Sequence, residues 1–160
     1  MNKAKTPVTP AIRLLRHEKV AFDDHPYRYE PGGGTAAFAR QTGIDEHLVI
    51  KTLIMEDDRE QPLIVLMHGD LEVSTRSLAR QIGVKSVHPC DSAVAERHSG
   101  YQVGGTSPFG TRKRLPVYCE SSILKLPHIY INGGKRGYII SMRTTEMVRI
   151  LTPSLVSAHQ

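Results

Sequence analysis

The chain has 160 residues, of which 39% are apolar and 23% are charged, a composition typical of one folded domain with its own core. Lys and Arg number 21 against 16 Asp and Glu, and the net charge of +5 suits an anionic partner, nucleic acid first, although it also fits an ordinary basic protein. No apolar run approaches the roughly 20 residues of a membrane helix, and the N-terminus lacks a signal-peptide core. Cys90 and Cys119 are too few for a disulfide framework or a zinc cluster, so we expect a cytoplasmic protein with free thiols, no membrane contact, no metal and no cofactor.

Apolar periodicity, bounded by glycine, proline and capping residues, divides the chain into alternating helices and strands. In chain order the predicted elements are a helix at 10–19, a strand at 22–29, a helix at 36–42, strands at 48–55 and 63–67, a helix at 75–81, a strand at 84–88, a helix at 92–98, strands at 115–119, 128–131 and 138–142, and a helix at 145–151. The predicted helix caps are Thr9, Thr35, Ser74, Asp91 and Thr144, because a short side-chain oxygen can accept a hydrogen bond from the first helical turn.

Several of the predicted connections are too short for the crossovers that parallel strands need. The pattern therefore predicts an α+β (α/β) fold: a single compact domain with a curved, mixed, mostly antiparallel sheet or partial barrel and surrounding helices. We predict that the domain spans residues 9–152, preceded by a flexible N-terminal arm at 1–8 and followed by a C-terminal tail at 153–160.

The loop from Gly104 to Gly110 combines two glycines with Thr106, Ser107 and Pro108. Successive N–H groups in such a turn can bind an anion or a developing oxyanion. The pattern is neither a phosphate-binding loop nor a nucleophile elbow, so it does not make Ser107 a nucleophile. A plain tight turn is the alternative interpretation.

Lys51 stands inside the apolar run VIKTLI. Burying an ammonium costs several kcal/mol unless it is paired. The Lys51 side chain is therefore expected either to reach a pocket or to lie on the solvent-exposed face of a half-buried strand. In a pocket, the ammonium can hold a phosphate or an ester carbonyl.

Two glycine-flanked loops carry five cations, which are Arg112, Lys113, Arg114, Lys135 and Arg136. They are suited to contacting RNA phosphates, or else they are solvated basic turns. Tyr27 and Tyr29 offer faces on which a base can stack, although such tyrosines more often belong to the core.

Six segments occur in an order that resembles the YbaK/EbsC family of free-standing bacterial Cys-tRNA(Pro) deacylases: TPAIRLL, HPYRYEP, VIKTLI, SGYQVGGTSPFG, RKRLP and YINGGKRG. The family is related to the editing domain inserted in bacterial prolyl-tRNA synthetases. The resemblance extends from about Thr9 to Leu151, and it implies a small α/β domain that removes the wrong amino acid from tRNA in trans.

The resemblance also implies roles for individual residues. Lys51, followed by Thr52, matches the characteristic lysine of the family, and the loop Gly104, Gly105, Ser107 and Pro108 matches its G-G-x-S-P motif. Tyr27 matches a tyrosine of the pocket. The site implied in this way has Lys51, Gly105 and Ser107 as catalytic residues, and the substrate-binding residues are Tyr27, Thr52, Gly104, Thr106, Pro108 and Ile139.

In this family the thiol of the substrate cysteine is proposed to attack its own ester, without a metal or a nucleophile from the enzyme. The implied partners are mischarged tRNA(Pro), or Cys-tRNA(Cys), and a prolyl-tRNA synthetase. Two positions depart from the family pattern. Ile139 replaces an aspartate that is frequent in cysteine-specific relatives, and Gly33-Gly34-Thr35 replaces a region that often carries an aromatic residue. Editing of another small amino acid therefore remains an alternative, and a non-catalytic RNA-binding module that keeps the basic loops is a separate one.

Overall fold

The computed structural model describes residues 6–160, which form five helices and eight strands. The helices are α1 (Pro10–His17), α2 (Gly34–Thr42), α3 (Thr75–Ile82), α4 (Ser92–Ser99) and α5 (Thr144–Leu151). The strands are β1 (Phe22–Pro26), β2 (Val49–Asp57), β3 (Pro62–His68), β4 (Val87–Pro89), β5 (Val117–Glu120), β6 (His128–Lys135), β7 (Tyr138–Arg143) and β8 (Ser154–Val156). Short 3-10 turns lie at Glu46–Leu48 and Ser121–Lys125.

All eight strands join one open sheet in the order β1-β7-β6-β2-β3-β5-β8, with β4 paired to the far end of β2. The pairs β1/β7, β6/β7, β2/β3 and β2/β4 are antiparallel. The pairs β2/β6, β3/β5 and β5/β8 are parallel. The predicted single domain with a mixed, mostly antiparallel sheet is thereby confirmed, and the sheet is open rather than closed into a barrel.

The strand β3 is buried on both faces, which explains its uninterrupted apolar sequence. Ile64 and Leu66 pack into the larger core cluster together with α1, while Leu63 and Val65 pack into a second cluster beneath α3. The helices therefore cover both faces of the centre of the sheet, and the rows of side chains on β2 and β3 are held in place from both sides.

Three predicted helix caps are confirmed by their hydrogen bonds. Thr9, Ser74 and Asp91 accept from the backbone N–H groups of residues 12, 77 and 94 at 3.1, 3.2 and 2.9 Å. Gly83 and Gly100 end α3 and α4 in the left-handed conformation with φ of 80°. These ends depend on local geometry alone, which is why the sequence predicts them correctly.

The predicted caps Thr35 and Thr144 are wrong, because both residues lie within the first turn of their helices, whose N-caps are Gly33 and Arg143, and neither side chain caps the helix. The Thr35 hydroxyl donates to the Glu46 carboxylate at 2.7 Å, and the Thr144 hydroxyl donates to the Leu126 carbonyl. Each hydroxyl is drawn to an acceptor that is distant in sequence and that only the folded chain supplies.

The C-terminal residues 153–160 are part of the domain rather than a tail. They contribute β8, and Val156 and Ala158 are buried. The buried Glu120 carboxylate accepts from the Ala158 N–H at 2.7 Å. Of the predicted arm, residues 1–5 lie outside the described part of the chain, and the Thr6 hydroxyl donates to Asp24.

No helix in the described range 6–160 is long and apolar enough to cross a membrane.

Candidate functional site

A cavity of about 680 Å³ lies where the sheet splits along one edge of β2. On that edge β6 pairs only with Val49 and Ile50, and β4 pairs only with residues 55–57. Residues 51–54 therefore have β3 on one side and the cavity on the other. A volume of this size is in the range of small-molecule sites.

The backbone of Thr52 is directed into this split. The Val49 carbonyl accepts from Gly69 at the β3 side, and the Ile54 carbonyl accepts from Cys90 at the β4 side. Since successive residues of a strand present their backbone groups to opposite edges, the N–H and C=O of Thr52 face the cavity. Its side-chain Oγ1 is buried and has no hydrogen-bond partner among residues 6–160. A buried hydroxyl without a partner is costly, so this is a position where a ligand group would be stabilised.

The side chain of Lys51 also lines the cavity and is only 17% exposed. Its Nζ lies 3.4 Å from Oε1 of Glu72, whose side chain is 78% exposed. An exposed carboxylate at this distance is a weak and easily displaced partner. Lys51 therefore holds a positive charge inside the cavity that an anionic or carbonyl oxygen of a ligand can approach.

The loop around Gly104 forms another wall of the cavity, to which Gly104 and Thr106 both contribute. The amide of Asn132 donates to the Gly104 carbonyl at 3.3 Å, and the Gly105 N–H donates to the Gln102 carbonyl at 2.8 Å. The Gly105 N–H is thus used within the turn. The N–H groups of Gly104 and Thr106 are not engaged by other residues of the described chain, so both donors are free at residues that line the cavity.

Gly105 is required for packing rather than for ligand approach. A Cβ at this position would lie 2.7 Å from the backbone nitrogen of Arg136 and 2.9 Å from the carbonyl carbon of Lys135. The glycine therefore lets the loop dock against the turn that joins β6 to β7. Gly105, Ser107 and Pro108 do not line the cavity.

Ser107 is fully buried, and its Oγ accepts from the Phe109 N–H at 3.2 Å. This local bond is typical of a serine that stabilises a turn. The described part of the chain places no histidine against it, so the geometry gives Ser107 a positioning contact and not the environment of a nucleophile.

One end of the cavity is apolar and aromatic. The rings of Tyr27 and Phe38 meet edge to face with centroids 5.3 Å apart, and Ile139 packs with them. Burial, as the main cause, raises the pKa of the Tyr27 hydroxyl. Tyr27 and Ile139, both predicted for the substrate pocket, are therefore brought together, and the wall at Ile139 offers no charged group to a ligand.

Neither cysteine has the surroundings of a nucleophile. Cys90 lines the cavity, but burial and the nearby Glu56 carboxylate raise the pKa of its thiol to about 11. Cys119 is fully buried, and burial raises its pKa to about 12. Both thiols stay protonated at neutral pH, and a thiol reacts as its thiolate.

The five predicted RNA-binding cations divide into two groups. The Arg136 guanidinium donates to the Val103 carbonyl at 2.8 Å and lies over the Tyr29 ring, 4.8 Å from its centroid. The Lys113 Nζ lies 2.7 Å from His98 Nδ1. Arg112, Arg114 and Lys135 are exposed, and their charged groups form no ion pair within the described residues.

The contact of Lys113 belongs to a chain of polar groups that the sequence did not indicate. Nε2 of the buried His98 lies 2.8 Å from the Glu56 carboxylate. An ammonium can only donate, so His98 Nδ1 accepts and the ring proton faces Glu56. Glu56, Cys90 and His98 have metal-binding atoms close together, but this hydrogen-bond chain already occupies both nitrogens of the His98 ring.

A second group of possible metal ligands consists of His47, His68 and Asp70. The nitrogens of the buried His68 are engaged by the His47 carbonyl at 2.7 Å and by Ser122 Oγ at 2.8 Å. The His47 ring stacks on the His68 ring at 3.7 Å and bonds to Asp70 at 2.9 Å. Hydrogen bonds within the protein account for this group as well, and the absence of a metal stays a prediction.

The fold and the cavity can now be compared with known proteins. Residues 30–150 match the family model of the aminoacyl-tRNA editing domain, and the chain belongs to this family. The resemblance inferred from the sequence is thereby confirmed.

Two curated relatives illustrate the family. The Enterococcus faecalis protein described as "Putative Cys-tRNA(Pro)/Cys-tRNA(Cys) deacylase EbsC" is 28% identical over 144 residues, which cover 89% of this chain and 88% of that protein. The proline--tRNA ligase of Brachyspira hyodysenteriae is 26% identical over 86 residues, which cover 54% of this chain but only 15% of the ligase.

Solved structures share the fold at low sequence identity. The "hypothetical protein APE2540" superposes with a TM-score of 0.85 at 18% identity, covering 94% of this chain and 99% of that one. The "putative trans-editing enzyme for prolyl tRNA synthetase" superposes with a TM-score of 0.80 at 15% identity, covering 96% of this chain and 99% of that one.

Proposed function

We propose that the protein is a trans-acting deacylase that cleaves the ester of a mischarged aminoacyl-tRNA, with Cys-tRNA(Pro) as the first substrate to test. The observation that carries the proposal is the arrangement around the split in the sheet. Lys51 brings a positive charge with a displaceable partner into a cavity large enough for a nucleotide end, and Thr52, whose buried hydroxyl has no partner within residues 6–160, lines the same cavity. Membership of the editing-domain family and the name of the EbsC relative support the same reaction.

In this proposal the terminal adenosine and its ester enter at the split in β2. Lys51 contacts the ester or the adjacent phosphate, and the N–H groups of Gly104 and Thr106 donate to the carbonyl oxygen as negative charge develops on it. The backbone and hydroxyl of Thr52 orient the ester. Ser107 and Gly105 act indirectly, because they hold the loop in this shape.

For a cysteine ester we propose that the substrate thiol is the nucleophile. Its sulfur attacks the carbonyl carbon, the bond to the ribose oxygen breaks, and that oxygen takes up the proton lost by the thiol. The products are uncharged tRNA and a cyclic thiolactone. The enzyme then supplies orientation and charge stabilisation, and holding the two groups together lowers the barrier by several kcal/mol. The raised pKa values of Cys90 and Cys119 support a role for the substrate thiol rather than for either enzyme thiol.

A second candidate is editing of another small amino acid with water as the nucleophile. It is favoured by the apolar end of the cavity, where Ile139 packs beside Tyr27 and Phe38 and its own side chain has no charged or polar group to offer a substrate. A small apolar side chain fits such a wall without leaving a polar group unpaired.

Deacylation of Cys-, Ala- and Ser-tRNA(Pro) under single-turnover conditions separates these candidates. Fast release from Cys-tRNA alone, with the thiolactone found as product and full activity in the Cys90→Ser, Cys119→Ser double variant, is the result expected for the substrate thiol. Equal release of all three amino acids would favour water. No release from any charged tRNA, with tRNA binding retained, would refute the deacylase proposal and leave an RNA-binding module. Addition of a prolyl-tRNA synthetase to the same assay tests whether that enzyme presents the tRNA.

A further inference from the structure

A second cleft, of about 420 Å³, lies on the outer face of α3 and has a basic rim. Arg76 and Arg80 come from successive turns of the helix, and Lys85 comes from the loop that follows it. All three side chains are exposed. The hydroxyl residues Thr75 and Ser86 complete the polar lining.

These three cations have no acidic partner within the part of the chain that the structure describes. None of them takes part in an ion pair among residues 6–160. The nearest carboxylate with a described contact is that of Asp58, which accepts from the backbone N–H groups of Lys85 and Ser86 at 3.0 and 3.4 Å. Asp58 therefore fixes the loop that carries Lys85 and leaves the ammonium itself free.

The spacing of the cations in the cleft is suited to a row of phosphates. Leu78 anchors α3 in the core, while the buried Ala79 lines the cleft between the exposed side chains of Arg76 and Arg80. Residues 76 and 80 are four apart and thus neighbours on one face, separated by about 6 Å along the axis. Arginine forks are well matched to phosphate oxygens.

The basic cleft adjoins the main cavity at two places. Thr75 lines both, and β4 runs from Val87 in the cleft to Pro89 in the cavity. A chain whose end occupies the cavity therefore has the cations Arg76, Arg80 and Lys85 next to one of its ways out. By contrast, two of the five cations expected to bind RNA, Lys113 and Arg136, already serve contacts within the protein.

We infer that the α3 cleft is a docking surface for the sugar-phosphate backbone of the tRNA acceptor arm, with Arg76, Arg80 and Lys85 contacting phosphates while the 3′ end enters the cavity. The inference rests on the proposed function for the identity of the RNA. The contacts are to the backbone, so they position the tRNA without reading its sequence.

The test measures binding of uncharged tRNA(Pro) transcript by fluorescence anisotropy between 50 and 200 mM salt. Each lost phosphate contact lowers the slope of log affinity against log salt by about 0.7 to 0.9. The variant Arg76→Gln, Arg80→Gln, Lys85→Gln should therefore lower the slope by about 2 to 3. The affinity advantage of the wild type over the variant should then shrink by about 30-fold across this salt range.

A charge-matched control is the triple variant Arg13→Gln, Arg16→Gln, Lys125→Gln, whose positions are exposed and lie outside the cleft. The first two are on α1, which packs on β6, and the third is in the 121–125 turn, which packs on α5 and β5. It should leave the slope unchanged, and both triple variants should keep the thermal unfolding midpoint of the wild type. An unchanged slope in the cleft variant, an equal loss in the control, or no tRNA binding by the wild type would overturn the inference. Because the tRNA is uncharged, a chain that binds through the cleft but cleaves no ester would refute only the proposed reaction.

Discussion

Replacement of Lys51 by methionine tests the proposed chemistry most directly. Methionine keeps most of the length and apolar surface of the side chain and removes only the charge. The ammonium has one described partner, Glu72, at 3.4 Å, and that carboxylate is largely exposed. Exposed ion pairs contribute about 0 to 1 kcal/mol. We therefore expect the free energy of unfolding of Lys51→Met to lie within about 1 kcal/mol of the wild type.

The effect on the reaction should be much larger. Removing one preorganised group that stabilises transition-state charge costs about 2.7 to 4 kcal/mol, or roughly 100-fold to 1,000-fold in rate. We expect a loss of this size in the single-turnover rate of Cys-tRNA(Pro) deacylation. Lys51→Arg should not restore the rate fully, because the planar guanidinium differs in size and donor geometry from a compact ammonium.

The matched control is Glu72→Gln, which removes the partner and keeps the cation. It should fold normally and deacylate at a rate within a few-fold of the wild type, since Glu72 competes with the ligand for Lys51. Deacylation by Lys51→Met at close to the wild-type rate would refute the assignment of Lys51. A variant that lost stability and activity together would instead show that the charge is structural.

Three further predictions concern the supporting structure. Gly105→Ala should lower the free energy of unfolding by about 1 to 3 kcal/mol, as in other overpacked sites, because the new Cβ would meet the backbone of Arg136 at 2.7 Å; denaturant titration that gives wild-type stability would exclude this packing role. Glu56→Ala should lower the free energy of unfolding by about 1 to 3 kcal/mol, because it leaves the buried His98 without its acceptor. The control Asp23→Ala, at an exposed position, should change it by no more than about 0.5 kcal/mol. Equal effects of the two variants would contradict a stabilising role for the hydrogen bonds that link Glu56, His98 and Lys113. The pKa of Cys119 is raised from 9.0 to about 12 by burial, so the folded state holds this proton more tightly than the unfolded state. The protonated thiol's contribution to the free energy of unfolding is fully present below pH 9. It is lost between about pH 9 and 12, at up to about 1.4 kcal/mol per pH unit. Cys119→Ala should flatten the decline of unfolding free energy over this range, and an unchanged slope would show that the thiol does not titrate there.

Local rules were sufficient for much of the fold. The ends of α3 and α4 follow from the sequence alone, because each is set by contacts within one turn. Ser74 and Asp91 cap the N-termini with side-chain hydrogen bonds, and Gly83 and Gly100 end the helices in the left-handed conformation. The same holds for the continuous apolar run of β3, which requires cover on both faces. The sequence also indicated Lys51 as a candidate residue, because it is a charged residue within an apolar run that favours burial.

What the sequence did not show depends on contacts between distant parts of the chain. Thr35 and Thr144 carry the chemistry of caps, yet their hydroxyls bond to Glu46 and Leu126 because folding brings better acceptors within reach. The short strand β8 forms only because β5 offers it an open edge. A strand of this length has too little local signal to be predicted.

The candidate site shows the same division. The sequence by itself indicated Lys51, Thr52 and the glycine loop as the chemical groups. Only the tertiary structure decided that β6 and β4 leave one edge of β2 unpaired between them and so open the cavity. It also decided that Gly105 and Ser107 support the glycine loop from outside the cavity. Lys113 and Arg136 are held by contacts within the protein, which the sequence did not show. Residue type and spacing determine which groups are available, whereas sheet pairing determines which of them face an opening, because pairing depends on strands that are far apart in the chain.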